Sequence, residues 1–582
     1  MKSLLANQGR KKLTGAAMTL MVAAMAAVWT VALWGCEEKP PAQGNQRPTP
    51  PAARARVAAN ALEVVFAYGS EKKLWIDEAT AQFNQSGMKT ASGKLIQVDA
   101  RAMGSGELTE EVQAGRLQAH VISPASKAFI TLGNARARAS TGQDLVGPTQ
   151  DLVLSPVVIA MWKPMAEKLG WPEKAIGWSD ILELAKDERG WAKYDAPQWG
   201  TFKFGHTHPQ YSNSGLISVI AETYAATGKV AGLKLEDVNA PETKKYVEEI
   251  ERTVVHYGES TGFFGRKMFE NGPQYLSAAV LYENMVIESY EPGKYTLPFP
   301  VVAVYPKEGT FWSDHPAGVV QREWVSDEHK EGAKKYIDFL MERPRQERAL
   351  AMGFRPGDVG VALGAPIDRD HGVNAAEPKT TLEMPPADVI SAAVDMWKVT
   401  KKKSNIVLVL DTSGSMKEEN RMENAKAGAA EFLALLGDED TFSLLTFNNS
   451  LSWTQSAVKL KDGRSQADQY IKSLFPQGGT ALYDAIADAW KRLEANPEPD
   501  KITAIVVLTD GADTDSKLKL DALLKMVLSN VESRPTRIFT IGYGKGANMK
   551  VLKQIGDATN AKSYEGKAEN IRQIFKEIAT FF

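Results

Sequence analysis

Three short segments near the carboxyl end gather oxygen-bearing side chains: Asp411-Thr412-Ser413-Gly414-Ser415, Gly478-Gly479-Thr480 and Leu508-Thr509-Asp510-Gly511. Carboxylate and hydroxyl oxygens suit a hard cation such as magnesium, which wants an octahedron at about 2.0–2.1 Å and keeps waters readily. Taken singly, Asp411, Ser413 or Ser415 could instead cap the following helix. Capping accounts for one such residue, not for three loops with matching residues. The glycines beside them allow tight turns and close backbone approach. A second candidate pair, His206 and His208, alternates along an extended segment and could hold a metal. With no third ligand nearby in sequence, histidines packed in a loop are favoured.

The elements that must position the three loops are legible around them. Ile406-Val407-Leu408-Val409-Leu410 is a continuous apolar run, as in a strand buried on both faces of a parallel sheet. Ala425, Gly428, Ala429, Phe432, Leu433 and Leu436 then fall on one helical face. Further strands are expected at residues 441–447, 505–508 and 538–541, a second helical stripe over 482–493, and a closing helix through Ile571, Ile574, Phe575 and Ile578. Strand and helix alternate, so the expectation is a doubly wound α/β sheet with its polar loops at strand carboxyl ends. Gly542-Tyr543-Gly544-Lys545-Gly546-Ala547 fits a dinucleotide fingerprint. Too little chain follows it for nucleotide-binding halves, so a tight turn is the favoured reading.

With its D-x-S-x-S at Asp411, then a Thr and then an Asp, this region resembles the von Willebrand factor A (vWA) family over residues 404–582. The resemblance implies a metal-ion-dependent adhesion site in which Ser413, Ser415 and Thr480 give hydroxyl ligands while Asp411 and Asp510 act directly or through water. It implies magnesium, or calcium or manganese, and a protein partner that offers a carboxylate to the metal.

Residues 61–367 alternate strands and helices less explicitly. A strand ends in Tyr68-Gly69-Ser70-Glu71, a helix follows with Trp75, Ile76, Ala79 and Phe83 inward, and a Gly-Ser-Gly turn stands at Gly104-Ser105-Gly106. Apolar segments 157–161 and 301–305 read as the two crossings between lobes. The layout resembles a bacterial extracellular solute-binding protein, implying a two-lobed, type 2 periplasmic-binding-protein fold around a cleft. By that resemblance Ser70, Ser123, Ser126, Ser212, Ser214, Tyr282 and Glu283 line the cleft and contact a small-molecule solute. Ser212 to Gly215 at a helix start would suit an oxyanion or carboxylate, whereas Glu283 suits an amine or a cation. Alternatively each Ser is a helix cap and Tyr282 is core.

The chain has 582 residues, a net charge of -2 and one cysteine, Cys36. Such a charge disfavours nucleic acid as a partner, and a single cysteine forms no internal disulfide or cysteine metal cluster. Lys2, Arg10, Lys11 and Lys12 precede an uncharged stretch, residues 13–35, that closes as Leu33-Trp34-Gly35-Cys36. This resembles the signal peptide and lipobox of bacterial lipoproteins, with Cys36 lipidated; an uncleaved anchor helix is the alternative. Either places the rest of the chain outside the cytoplasm, and Glu37 in place of Asp implies the outer membrane, periplasmic side, in a two-membrane bacterium. Residues 37–60 read as a tether and 368–403 as a linker with a short helix. No H-E-x-x-H, P-loop or Ser/His/Asp set stands out, so the expectation is a membrane-attached binding protein and not an enzyme. A scaffold, or a hydrolase hidden in residues 61–367, is the alternative; a chelatase-type ATPase subunit conflicts with export.

Overall fold

A computed structural model describes residues 61–528 and 536–582; the signal peptide, Cys36 and the tether expected from the sequence lie outside the described residues. The first sheet begins with β1 (Ala61–Gly69), β2 (Leu95–Met103), β3 (Val121–Ser123) and β4 (Val146–Asp151). Leu152 leads into a second sheet of β5 (Val153–Trp162), β6 (Phe204–Gly205), β7 (Ala278–Tyr282), β8 (Val301–Val304) and β9 (Trp312–Ser313). Asp314 and His315 return the chain to β10 (Pro316–Val320), which lies antiparallel between β3 and β4. After helices Asp327–Met341 and Arg343–Ala351, β11 (Arg355–Pro356) joins β5 in the second sheet.

The alternation within β1 explains why it is an interior strand. Val64, Phe66 and Tyr68 enter one core while Val65 and Ala67 enter another on the opposite face. The sequence placed the crossings at residues 157–161 and 301–305. Those segments are instead β5 and β8, paired inside the second lobe at Ile159↔Val304 and Ala160↔Ala303. An apolar run marks a strand buried on both faces; the actual crossings, at Leu152, at Asp314 and His315, and at residues 352–354, are too short to carry a periodic signal.

The lobes touch through glycine. The amides of Gly106 and Glu107 donate to the Tyr211 carbonyl at 2.9 and 3.4 Å. A Cβ on Gly106 would stand 1.9 Å from the Gln210 carbonyl oxygen, and one on Gly104 2.4 Å from that of Tyr211.

The segment read as a loose linker is docked on the second lobe. Ala303 N–H donates to the Gly372 carbonyl at 2.8 Å and Leu382 N–H to that of Thr310 at 2.9 Å. Helix Ala387–Thr400 then buries Val389, Ile390, Ala393, Met396 and Trp397.

The last sheet has the order β14-β13-β12-β15-β16-β17, from β12 (Lys403–Asp411), β13 (Thr441–Phe447), β14 (Leu451–Lys459), β15 (Lys501–Thr509), β16 (Arg537–Tyr543) and β17 (Ser563–Gly566). All neighbours are parallel except β14 at one edge. Ile406, Leu408 and Leu410 of β12 face helices Arg421–Leu435, Leu460–Ser473 and Ile571–Ala579. Val407 and Val409 face helices Leu482–Ala495, Leu520–Leu528 and Met549–Ala558. The sheet is doubly wound, as its apolar strands require.

This unit straddles both lobes. Gln573 Nε2 donates to Glu107 at 2.7 Å and Lys576 Nζ lies 3.3 Å from Glu110, both on the first lobe. Lys562 Nζ lies 3.2 Å from Glu259 on the second, where the Phe581 ring also meets His256 at 5.5 Å. Among the described residues no helix is long and apolar enough to cross a membrane.

Gly106→Ala should wedge the lobes apart while leaving each intact. Overpacking of about 2 kcal/mol against the closed arrangement corresponds to roughly 30-fold weaker binding of anything held between them. Small-angle scattering on wild type and variant checks this: a larger radius of gyration is expected, and unchanged curves would mean the lobes do not meet at Gly106 in solution.

Candidate functional site

Two sites emerge, one at the carboxyl ends of the central strands of the last sheet and one between the lobes. In the first, β12 and β15 are adjacent, with Leu410 opposite Leu508, so Asp411 and Asp510 leave neighbouring strand ends together. Chain order reverses at this pair of strands, which opens a crevice above them. Asp411 accepts from Ser413 N–H at 2.7 Å through Oδ1 and from the Thr509 hydroxyl through Oδ2. Ser413 Oγ stands 3.1 Å from Ser415 Oγ, which donates to Asp510 Oδ1 at 2.7 Å. The other Asp510 oxygen takes Arg421 Nη1 at 2.8 Å.

Thr480 joins from the third loop. Gly414 N–H donates to the Gly478 carbonyl at 2.9 Å, tying that loop to the first. Gly478 has φ +79°, in the region that favours glycine. Above Gly511 converge Thr480 Oγ1 and Ser415 Oγ, 3.7 and 4.0 Å from where a Cβ would stand. The expected fingerprint glycines have a packing role here: a Cβ on Gly546 would lie 2.7 Å from the Asp510 carbonyl.

All five residues proposed from sequence therefore meet in one crevice. Burial raises the Asp411 carboxyl to about 6; hydrogen bonds from Ser413 and Thr509 oppose this, and the Asp510 charge adds to it. Of these two buried carboxylates Asp510 is paired with a guanidinium, and every candidate donor is oxygen. Such a set fits a hard divalent cation. Sequence reading missed Arg421 and Thr509, since neither belongs to the motif and an arginine opening a helix reads as solvent-facing.

The second site is a ring of polar groups where the lobes meet. Lys72, with 0% of its surface exposed, donates to Glu71 Oε1 at 2.7 Å, and its Nζ lies 3.2 Å from His315 Nδ1. An ammonium only donates, so Nδ1 accepts and Nε2 carries the proton. Asn213 Nδ2 bonds both the Tyr282 hydroxyl and Ser313 Oγ at 3.1 Å. Ser212 and Ser214 reach Thr261 Oγ1 at 3.1 and 2.9 Å. Ser70 Oγ lies 3.1 Å from where a Cβ on Gly262 would stand. His315, on the second crossing, has φ +39°, a sparsely populated conformation for a residue with a Cβ.

Four buried polar atoms in this region lack a hydrogen-bond partner among the described residues: Ser70 Oγ, Ser123 Oγ, Asn213 Oδ1 and His315 Nε2. Buried polar atoms are seldom left so. Of the residues expected to line the cleft, Ser70, Ser212, Ser214 and Tyr282 meet here, and Ser123 ends β3 in register with Tyr68. Ser126 caps helix Lys127–Thr141, accepting from Ala128 N–H at 3.1 Å. Glu283 is instead bound within the protein: Arg355 holds its two oxygens at 2.7 and 2.8 Å and Tyr305 donates to one of them, which makes it an internal ion pair and not a free cleft carboxylate. Lys72, Asn213, Ser313 and His315 were not foreseen, because a lysine after a glutamate at a helix start reads as surface.

The von Willebrand factor type A domain family matches residues 405–577, and the bacterial extracellular solute-binding protein family matches residues 64–355. Inter-alpha-trypsin inhibitor heavy chain H2 of Sus scrofa is 29% identical over 188 residues, covering 30% of this chain and 20% of that protein. Heavy chain H4 of the same species is 28% identical over 157 residues, covering 26% and 17%. The chain thus spans about a fifth of the length of the curated relatives it matches. Among solved structures, a periplasmic thiamin binding protein is 13% identical with a TM-score of 0.43, covering 60% of this chain and 98% of that one.

Acid should loosen the inter-lobe ring. Burial, then the Lys72 charge, lowers His315 to about 4. Burial would raise Glu71, but Lys72 and His315 overcome it and hold it at about 2. Both groups bind protons more readily unfolded, so stability falls with falling pH: first over about 6.5 to 4 through His315, then over about 4.5 to 2 through Glu71. His315→Gln should remove the upper limb, on the order of 3 kcal/mol. Urea unfolding at about pH 7 and about pH 4 measures it; parallel losses in both proteins would refute a neutral His315.

Proposed function

The chain belongs to the bacterial extracellular solute-binding protein family, and from that premise we propose that it captures a small oxygen-rich solute between its lobes and binds a protein partner through a magnesium-dependent vWA site. The observation that carries the first half is the set of unpartnered buried atoms beside a buried lysine. Ser70 Oγ, Ser123 Oγ and the His315 Nε2–H can donate, and Asn213 Oδ1 can only accept. Helices Asn213–Thr227 and Thr261–Asn271 begin at the ring, and helix N-termini favour anions. Together they suit a small oxyanion or carboxylate that also carries a hydroxyl or a protonated oxygen. Lys72 supplies the compensating charge and Glu71 fixes its position.

At the vWA site, Asp411, Ser413, Ser415, Thr480 and Asp510 would hold magnesium, or calcium or manganese. Bound there, such an ion offers a Lewis-acidic position to a carboxylate from the partner. Asp411 is oriented by Ser413 N–H and Thr509, and Arg421 steadies Asp510. The role is binding and not catalysis. Membrane attachment rests on the amino-terminal leader and Cys36, which place the protein outside the cytoplasm by a lipid anchor. Intact-mass analysis tests it: a diacylated chain starting at Cys36 is expected, and a retained leader would make it an anchor helix instead.

Full-length protein, denatured and analysed by mass spectrometry, should release a small anionic solute. Thermal shift should respond to oxyanions or hydroxycarboxylates, and Lys72→Met should weaken that response at least tenfold, a loss of about 1.4 kcal/mol. No stabilisation by any solute class would reduce residues 61–367 to a scaffold. Magnesium at ten times its dissociation constant should stabilise wild type by about 1.4 kcal/mol. Asp411→Ala should abolish that gain, and unchanged magnesium dependence would remove the metal assignment.

A further inference from the structure

His206 follows β6, Glu222 lies in helix Asn213–Thr227, and Glu251 ends helix Pro241–Glu251. All three have 0% exposed surface. One ligand atom from each lies within 4.8 Å of the others. We propose that these residues hold a divalent transition metal of the zinc type inside the second lobe, separate from both sites described above.

The hydrogen-bond pattern argues for a cation. His206 Nδ1 lies 2.8 Å from the Thr207 carbonyl, which only accepts, so this nitrogen carries the proton. Nε2 then faces Glu251 Oε1, a second acceptor, at 2.9 Å. Such a pair needs a shared proton or a metal between its lone pairs. The other Glu251 oxygen accepts from the Tyr257 hydroxyl at 2.6 Å. Glu222 Oε1 accepts from Ser218 Oγ at 2.9 Å, while its Oε2 is buried with no partner. Neither carboxylate is ion-paired to a lysine or arginine among the described residues. Burial, reinforced by Glu251, pushes the Glu222 carboxyl well above its ordinary range, which expresses the same lack of positive charge.

One imidazole nitrogen and two carboxylates form a neutral set for a divalent ion, with bonds of about 2.0–2.2 Å to nitrogen and oxygen. Each ligand already has a supporting contact: Thr207 on His206, Tyr257 on Glu251 and Ser218 on Glu222. Such outer contacts orient metal ligands. Complete burial closes the site to outside molecules, and a second carboxylate oxygen would complete the four-coordinate shell usual for a structural ion. It also lies beneath the docked vWA unit, since the Tyr257 hydroxyl accepts from Lys402 N–H at 3.2 Å and its amide donates to the Phe581 carbonyl at 3.2 Å.

The rival arrangement places protons where the metal would be, and Glu222→Gln separates the two. Full-length protein carrying Asp411→Ala, so that the vWA site does not contribute, is purified without chelators and its zinc measured by plasma mass spectrometry. About one equivalent retained through dialysis is expected, and Glu222→Gln in that background should lower retention at least about tenfold. Cobalt(II) reconstitution should give a visible d–d absorption that the same substitution removes. Overturning results are a chain that neither contains zinc nor takes it up on refolding, or equal zinc with and without Glu222→Gln. Should the variant misfold, X-ray absorption at the zinc edge of the Asp411→Ala chain decides: one imidazole with oxygen neighbours supports the site, and any other shell refutes it.

Discussion

A lysine with no exposed surface organises the solute-binding half of this protein. Lys72 stands where β1 ends, and its charge is tolerable there only because Glu71 and His315 close around it. His315 belongs to a crossing between the lobes, and its ring lies 5.9 Å from that of Tyr282 in the second lobe. One charge cluster therefore fixes the end of the first sheet, the course of a crossing and the wall of the opposite lobe. The left-handed backbone at His315 is held by the same contacts and by a bond from its amide to the Ala125 carbonyl at 3.1 Å.

The vWA unit is not a bead on a string. Gln573 and Lys576 reach acidic residues on the first lobe, while Lys562 and Phe581 grip the second. Any change in the angle between the lobes must break one set of contacts or move helix Ile571–Ala579. That helix packs on Arg421–Leu435, whose first residue holds Asp510. Packed contacts thus run from the vWA site to both lobes, a physical route for mutual influence.

Much of the vWA unit was legible in its residues. Ile406 to Leu410 could only be a strand covered on both faces, the stripe from Ala425 to Leu436 only a helix against it, and the oxygen-bearing loops fell at strand ends. The cleft was legible only in part. Ser70, Ser212, Ser214 and Tyr282 stand at the ring, but Glu283 went to Arg355, whose partner lies 72 positions away in sequence.

What the sequence by itself determined is local: periodicity selects strand or helix, glycines permit turns and close contacts, and short motifs gather like donors. What only the tertiary structure decided is which charges meet. Lys72 with His315, Arg421 with Asp510, and His206 with Glu222 and Glu251 are pairings across long stretches of chain. No spacing rule encodes them, because a buried charge is satisfied by whatever partner the packing of separate elements brings within about 3 Å.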